Sequence, residues 1–345
     1  MAEAFLALAR GDRREALEVA ASASGRPPHL LEKDAWVVWS LATLFGSALG
    51  ARLVFKGGTS LSKAYQAIRR FSEDVDLTYD IRAIVPDLVG DDADALPVTR
   101  SQERRWSSEI RARLPQWVAQ HALPVIESVL QAQALAATAR AEGETILVEY
   151  EPLASGTGYV RPAVTLEFGA RSTGEPWQVR PVVCDAAAHL AGLEFPSAHP
   201  RVMRIERTFW EKATAIHVFC LQGRFRGADR FARHWHDVAR LSDAGHAARA
   251  LADADLAEAV ARHKRMFFAE RDSEGQPIDY AAAVRGRLRL VPEGAARELL
   301  AEDYRRMVED GLLLDDAEPF AALMERCREI ETMARTRPDP RRPLA

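Results

Sequence analysis

The chain has 345 residues, 48% of them hydrophobic and 28% charged, with a formal net charge of −4; this suits a soluble globule with one large core or two modest ones. The charge excludes a global pull toward nucleic acid, so any such partner must be held by local basic clusters. Cys184, Cys220 and Cys327 are odd in number and far apart, which argues against a disulfide framework and suits a reducing cytosol. The opening "MAEAFLALARGDRREALEVAA" lacks the basic lead and long apolar run of a signal peptide, and no window reaches membrane-spanning length, so a cytoplasmic location without a membrane partner is expected.

In chain order, "KDAWVVWSLATLFGSA" repeats apolar residues at helical spacing, with Trp36, Val37, Leu41 and Leu44 on one side, and predicts a buried helix. "RLVF" predicts a strand, "GGTS" a turn, "LSKAYQAIRRF" a helix of about three turns and "DVDLTYD" a second strand. Residues 85–97 turn acidic and loop-like, and the stretch from Ser101 to Ala141 reads as helices broken near Pro115 and Pro124. Strand patterns return in "ETILVEYEP", "YVRPAVTLEFGAR" and "WQVRPVVCD". After about Arg204 helical periodicity takes over, and "RTRPDPRRPLA" reads as a disordered tail. The pattern predicts an α+β fold, with a mixed sheet and helices over residues 1–204, a helical domain over 205–335 and a tail from 336.

The chemistry concentrates between Gly57 and Asp76. Asp74 and Asp76 lie two apart on a predicted strand, so both carboxylates share one face while Val75 and Leu77 take the other. Such a pair suits Mg²⁺, which takes one or two carboxylates plus substrate phosphates and waters; a solvated strand edge is the plainer reading. Gly57 and Gly58 end a strand, and Thr59 and Ser60 open a helix whose free N–H groups suit a phosphate, although a simple helix cap would use the same residues. The spacing is neither a Walker loop nor a dinucleotide fingerprint. Glu167 in "VTLEFGA" alternates with Leu166 and Phe168, which makes it a candidate third carboxylate or an ordinary solvent-facing one.

"FKGGTSLSKAYQAIRRFSEDVDL" resembles the first motif of the AbiEii/AbiGii nucleotidyltransferase toxins, a branch of the DNA polymerase β-like superfamily that includes the MenT toxins. The resemblance continues through "EKDAWVVWSL", "FWEKATAIH", "RFARHWHDVARL", "RHKRMFF" and "EDYRRM", covering roughly residues 30 to 330. It implies a polymerase β-like nucleotidyltransferase core, with Lys56, Gly57, Gly58, Thr59 and Ser60 at the phosphates, Asp74 and Asp76 on the metal, Lys212 as the second-motif lysine and Asp237 as a later acidic residue. His234 follows Arg233 where many relatives carry Asp. The implied activity is transfer of a nucleoside monophosphate from an NTP to an acceptor hydroxyl such as the tRNA 3′ end, with Mg²⁺ as cofactor and a separately encoded antitoxin as partner. A protein or small-molecule acceptor, and a binding protein with a decayed site, stand as alternatives.

Read from the residues alone, Lys212 lies at the edge of an apolar helix face, where a lysine also sits for packing. Arg233 and Asp237 have the spacing of a helix-surface ion pair. Arg230 and Arg233, preceded by "GRFRG", offer guanidinium forks to triphosphate or RNA.

Overall fold

The computed structural model describes residues 3–72, 74–90, 92–154, 160–223, 230–309, 313 and 317–336. The tail beyond 336, most of "GRFRG" and Glu73 of the "SEDVD" stretch lie outside them. Two compact units form: Met1–Ala64 with Glu73–Ala95 and Arg104–Met203, and Tyr65–Ser72 with Leu96–Glu103 and Arg204–Ala345. Among the described residues no helix is long and apolar enough to cross a membrane.

The first unit is built on a seven-stranded mixed sheet. Its strands are β1 (Leu53–Lys56), β2 (Asp74–Tyr79), β3 (Ala137–Glu142), β4 (Thr145–Tyr150), β5 (Ala163–Gly169), β6 (Trp177–Val179) and β7 (Arg201–Met203), in the order β3-β4-β5-β2-β1-β7-β6. β2 runs parallel to β5 and β1 parallel to β7; the remaining neighbours are antiparallel. Register sorts the side chains into layers, because directly paired residues share a face. Phe55, Leu77 and Phe168 line up across β1, β2 and β5, and Val75, Leu166 and Ile146 across β2, β5 and β4. All six are buried. This apolar layer fixes which residues emerge on the opposite face, since a slip of one residue would invert every strand.

Helices α1 (Arg10–Ser24) and α2 (Pro28–Gly46) belong to the same unit. α2 is buried along most of its length, and Trp36 stacks on Tyr150 of β4 with ring centroids 5.2 Å apart. Burial extends to its acidic residues. Glu32 accepts the Leu153 N–H on both oxygens, at 3.1 and 2.9 Å. α3 (Gly57–Lys63) follows β1 directly. At its end Lys63 lies 2.6 Å from both Asp34 of α2 and Asp185, and Asp185 also pairs with Arg26.

The second unit is helical: α4 (Ile205–Gln222), α5 (Arg233–Asp243), α6 (Ala254–Phe267), α7 (Gly294–Glu309) and α8 (Phe320–Thr336), with shorter turns between them. Trp210 and Trp235 are fully enclosed, and their ring N–H groups donate to the carbonyls of Ala250 and Leu290.

Three local expectations are corrected. The helix after the glycine turn begins at Gly57 and stops at Lys63, and Gln66 takes a left-handed φ of 52°; residues 65–72 instead join the second unit, where Arg70 finds its partners. Pro115 lies inside the helix Arg100–Trp117, and the irregularity falls just after it, in a π-helical turn over Val118–Ala122. Ala137–Glu142, read as the end of a helical stretch, is strand β3, paired to β4 over its whole length.

Burial pushes the Glu32 carboxyl up to about 7, against the opposing effect of its backbone hydrogen bond and of Arg13. Its value in the folded chain lies above the unfolded one of 4.5, so its stabilising contribution is complete below that pH and is lost as the pH rises through about 7. Glu32→Gln keeps an acceptor for Leu153 and removes the buried charge. Thermal melts are expected to show the variant gaining stability over the parent at pH 8, on the order of 2–3 kcal/mol, with little difference near pH 4.5.

Candidate active site

The backbone pairing of β1 with β2 sets Lys56 opposite Asp76, and that of β2 with β5 sets Asp76 opposite Glu167, which in turn pairs with Thr145 of β4. Lys56, Asp76, Glu167 and Thr145 therefore stand in one polar row across four strands, on the face opposite Leu77 and Leu166. Asp74 lies two residues back along β2, opposite Thr165. Asp74 and Asp76 are half-buried and Glu167 is exposed.

The glycine turn abuts this row. Gly57 has a φ of 76°, and a Cβ added there would fall 2.7 Å from the Asp76 carboxyl carbon and 2.9 Å from its Cβ. Only a residue without a side chain permits this approach. Gly58, Thr59 and Ser60 are buried, and their hydroxyls serve the turn itself. The Thr59 hydroxyl donates to the Asp74 carbonyl and the Ser60 hydroxyl to the Gly57 carbonyl at 2.9 Å. Thr59 thus ties the start of α3 to the strand that carries both aspartates. What the turn has left for an anion is backbone N–H, since a helix start leaves such groups without intrahelical partners.

All-oxygen donors of this kind fit a hard divalent cation. Among the described residues no three His, Cys, Asp or Glu side chains converge on one metal-sized point. Glu167 shares the face of Asp76, yet the pair Asp74 and Asp76 is what the strand offers by itself. Two carboxylates completed by phosphate oxygens and water match the usual habit of Mg²⁺.

Lys212 and Asp237 come together in the second unit. Asp237 has no exposure, and Arg70 holds it with both prongs of its guanidinium, at 2.6 and 2.8 Å. Lys212 is 7% exposed, and its Nζ lies 2.9 Å from Oδ2, the oxygen that also accepts from Arg70 Nη2. Burial alone would raise the Asp237 carboxyl, but the charges of Arg70 and Lys212 outweigh it and hold the group far below the usual carboxylate range. Burial pulls the Lys212 ammonium down from its ordinary value, Asp237 opposing and Arg70 adding to the effect. The i, i+4 reading of Arg233 with Asp237 is corrected: the carboxylate turns to Arg70 and Lys212. Arg70 was not singled out by sequence; its one signal is its place directly before "FSEDVD". Arg230 takes a left-handed φ of 71° while its backbone N–H donates to Asp303 at 2.8 Å. Burial, with the charges of Lys212 and Arg233, pushes His234 well below the usual imidazole range and keeps it neutral.

The family model described as "Nucleotidyl transferase AbiEii toxin, Type IV TA system" matches residues 39–326. The chain belongs to this family. No curated protein matches its sequence. Among solved structures it is similar to MenT4, a nucleotidyltransferase toxin from Mycobacterium tuberculosis H37Rv, at 16% identity over 95% of this chain and 98% of that one, with a TM-score of 0.38. The AbiEii match spans both the glycine turn with its aspartates and the Arg70–Asp237–Lys212 group.

Two substitutions separate the roles of these elements. Gly57→Ala must move the Asp76 carboxylate and occupy a backbone region that L-residues avoid, so a loss of ~1–3 kcal/mol is expected in chemical denaturation. Asp237→Ala removes the buried carboxylate that Arg70 and Lys212 share and is expected to cost about 3–5 kcal/mol. Replacing Asp237 and Lys212 together by apolar residues of similar volume should recover part of that loss.

Proposed function

We propose that this chain transfers a nucleoside monophosphate from an NTP to an acceptor hydroxyl, and that the acceptor is the 3′ end of tRNA. The observation that carries the reading is the row Lys56–Asp76–Glu167 lodged against Gly57, which sets carboxylates beside a turn with spare backbone N–H groups. The AbiEii match supports a nucleotidyl donor and a partner antitoxin; the tRNA acceptor rests on the resemblance of the motifs.

Asp74 and Asp76 would hold Mg²⁺, which when bound supplies positive charge to the phosphate oxygens. The turn from Gly57 would take phosphate oxygens on backbone N–H groups, and Lys56 would stand beside them as a further positive charge. The acceptor oxygen forms a bond to the α-phosphorus, the bond to the β-phosphate oxygen breaks, and pyrophosphate leaves while the hydroxyl proton passes to water. These residues contribute by positioning and charge rather than by covalent chemistry.

In the second unit, Arg70 and Lys212 share the Asp237 carboxylate, which sets two cationic side chains side by side. Lys212 and Arg233 are the side chains there that we assign to anionic substrate, with Arg230 as a further candidate. Asp237, wholly enclosed, acts as a positioning residue.

The test incubates the chain with each labelled NTP, Mg²⁺ and total RNA, then separates RNA from protein on gels. Label in the tRNA band is expected, together with at least a ~100-fold loss in Asp76→Asn at unchanged melting temperature. Label in protein or small molecules with RNA untouched would reassign the acceptor. Full transfer by folded Asp76→Asn would remove the proposed metal pair.

A further inference from the structure

The second unit contains a cavity of about 460 Å³ to which none of the residues considered so far contributes. Its size is that of a small-molecule site. His217 of α4 forms part of its wall and is 4% exposed. The Arg289 N–H donates to His217 Nδ1 at 3.0 Å. Burial, aided by the charge of Arg289, lowers the imidazole to about 4, so the ring is neutral at physiological pH and its one proton sits on Nε2. The histidine is thereby fixed as an N–H donor.

The segment from Gly286 to Arg289 also lines the cavity. Gly286 has a φ of 105°, and a Cβ there would press to 3.1 Å from the Ala334 carbonyl oxygen of α8. Beyond it Leu288 is buried, and Arg287 and Arg289 flank it, both exposed. The carboxylates that line the cavity are already engaged. Glu331 accepts the N–H groups of Leu290 and Val291 at 2.5 and 3.0 Å, and Asp279 caps a helical turn by accepting from Ala282 at 3.0 Å. Among the described residues Arg287 has no carboxylate partner, and Arg289 reaches only the exposed Glu293, at 3.9 Å. Arg335 also lines the cavity and lies 3.7 Å from the Glu331 carboxylate. Arg287 and Arg289 thus offer two guanidinium forks beside one neutral N–H, set against apolar surface from Leu221 and Leu288.

We propose that this cavity binds a nucleotide through its phosphate, with Arg287 and Arg289 on the phosphate oxygens, His217 Nε2–H donating, and the base against Leu221 and Leu288. Guanidinium forks match phosphate oxygens geometrically, and an apolar wall beside them suits a base more than a bare inorganic ion. Either a free nucleotide or one residue of an RNA strand supplies this chemistry. The inference is independent of the reaction proposed above, since it uses none of the same residues.

Equilibrium dialysis of the full chain in Mg²⁺-free buffer tests it with AMP, adenosine and a short single-stranded RNA. AMP is expected to bind at least tenfold more tightly than adenosine and to lose at least tenfold in Arg287→Glu/Arg289→Glu. RNA binding tenfold tighter than AMP would identify a strand as the source; weaker RNA binding would identify the free nucleotide. The His217 ring resonance, assigned from its loss in His217→Gln, should shift on adding AMP and locates the ligand even if the double variant folds poorly. Equal binding of AMP and adenosine, an AMP affinity untouched in the folded double variant, or a His217 resonance that does not respond would each overturn the proposal.

Discussion

Everything at the candidate site depends on one backbone pairing, that of Lys56 with Asp76. It brings the aspartate alongside the residue that follows β1, and the approach is so close that this residue has to be glycine. Glycine then permits the left-handed φ from which α3 starts, and Thr59, two residues on, bonds back to the Asp74 carbonyl. Turn and aspartates are therefore one rigid object rather than two neighbouring motifs. Such rigidity suits a reaction that proceeds by positioning and charge, because groups already in place cost no reorganisation when charge moves.

The two units fix their motif helices by mirror-image electrostatics. In the first, one buried cation, Lys63, is shared by two carboxylates, Asp34 and Asp185. Burial would lower the Lys63 ammonium, but those two charges outweigh it and hold it above its ordinary value. In the second, one buried carboxylate, Asp237, is shared by two cations. Groups of this kind are poor sources of net stability, since desolvation consumes most of the Coulombic gain. Their consequence is geometric. A helix tied at its end by a lysine between two acids cannot slide by a residue without leaving a buried charge alone, and the same holds for the helix that carries Asp237.

The sequence made the site legible in proportion to how local its geometry is. Alternation along β2 and β5 gives the faces of Asp74, Asp76 and Glu167 directly, and the apolar residues between them, Val75, Leu77, Leu166 and Phe168, set the layer that enforces it. The α+β class and the change to helices near Arg204 follow from periodicity in the same way. What stayed hidden was long-range. Arg70 pairs with Asp237 across 167 residues, and no pattern at either end announces it; the same pull takes residues 65–72 out of the helix that their composition favours. β3 was missed because its alternating alanines, "ATARAE", follow a helix and carry good helix propensity, while their pairing with β4 decides the outcome. Thr59 and Ser60 read as the opening of a helix whose N–H groups suit a phosphate, and their hydroxyls turn to the Asp74 and Gly57 carbonyls, contacts that spacing alone does not show.

The two motif aspartates therefore differ in what chemistry is open to them. Asp76 is half-buried, on a sheet face, beside a turn that offers N–H groups, so its oxygens can meet a cation while the N–H groups face an anion. Asp237 has no exposure and three charged hydrogen-bonding contacts from Arg70 and Lys212. Bringing its carboxylate to a metal or substrate would require both cations to be released and solvated together. Its carboxyl is also held so far down that it cannot accept a proton near neutral pH, which removes general-base work as well. The role that remains is to fix where the positive charges of Arg70 and Lys212 stand, both of them buried at 5% and 7% exposure.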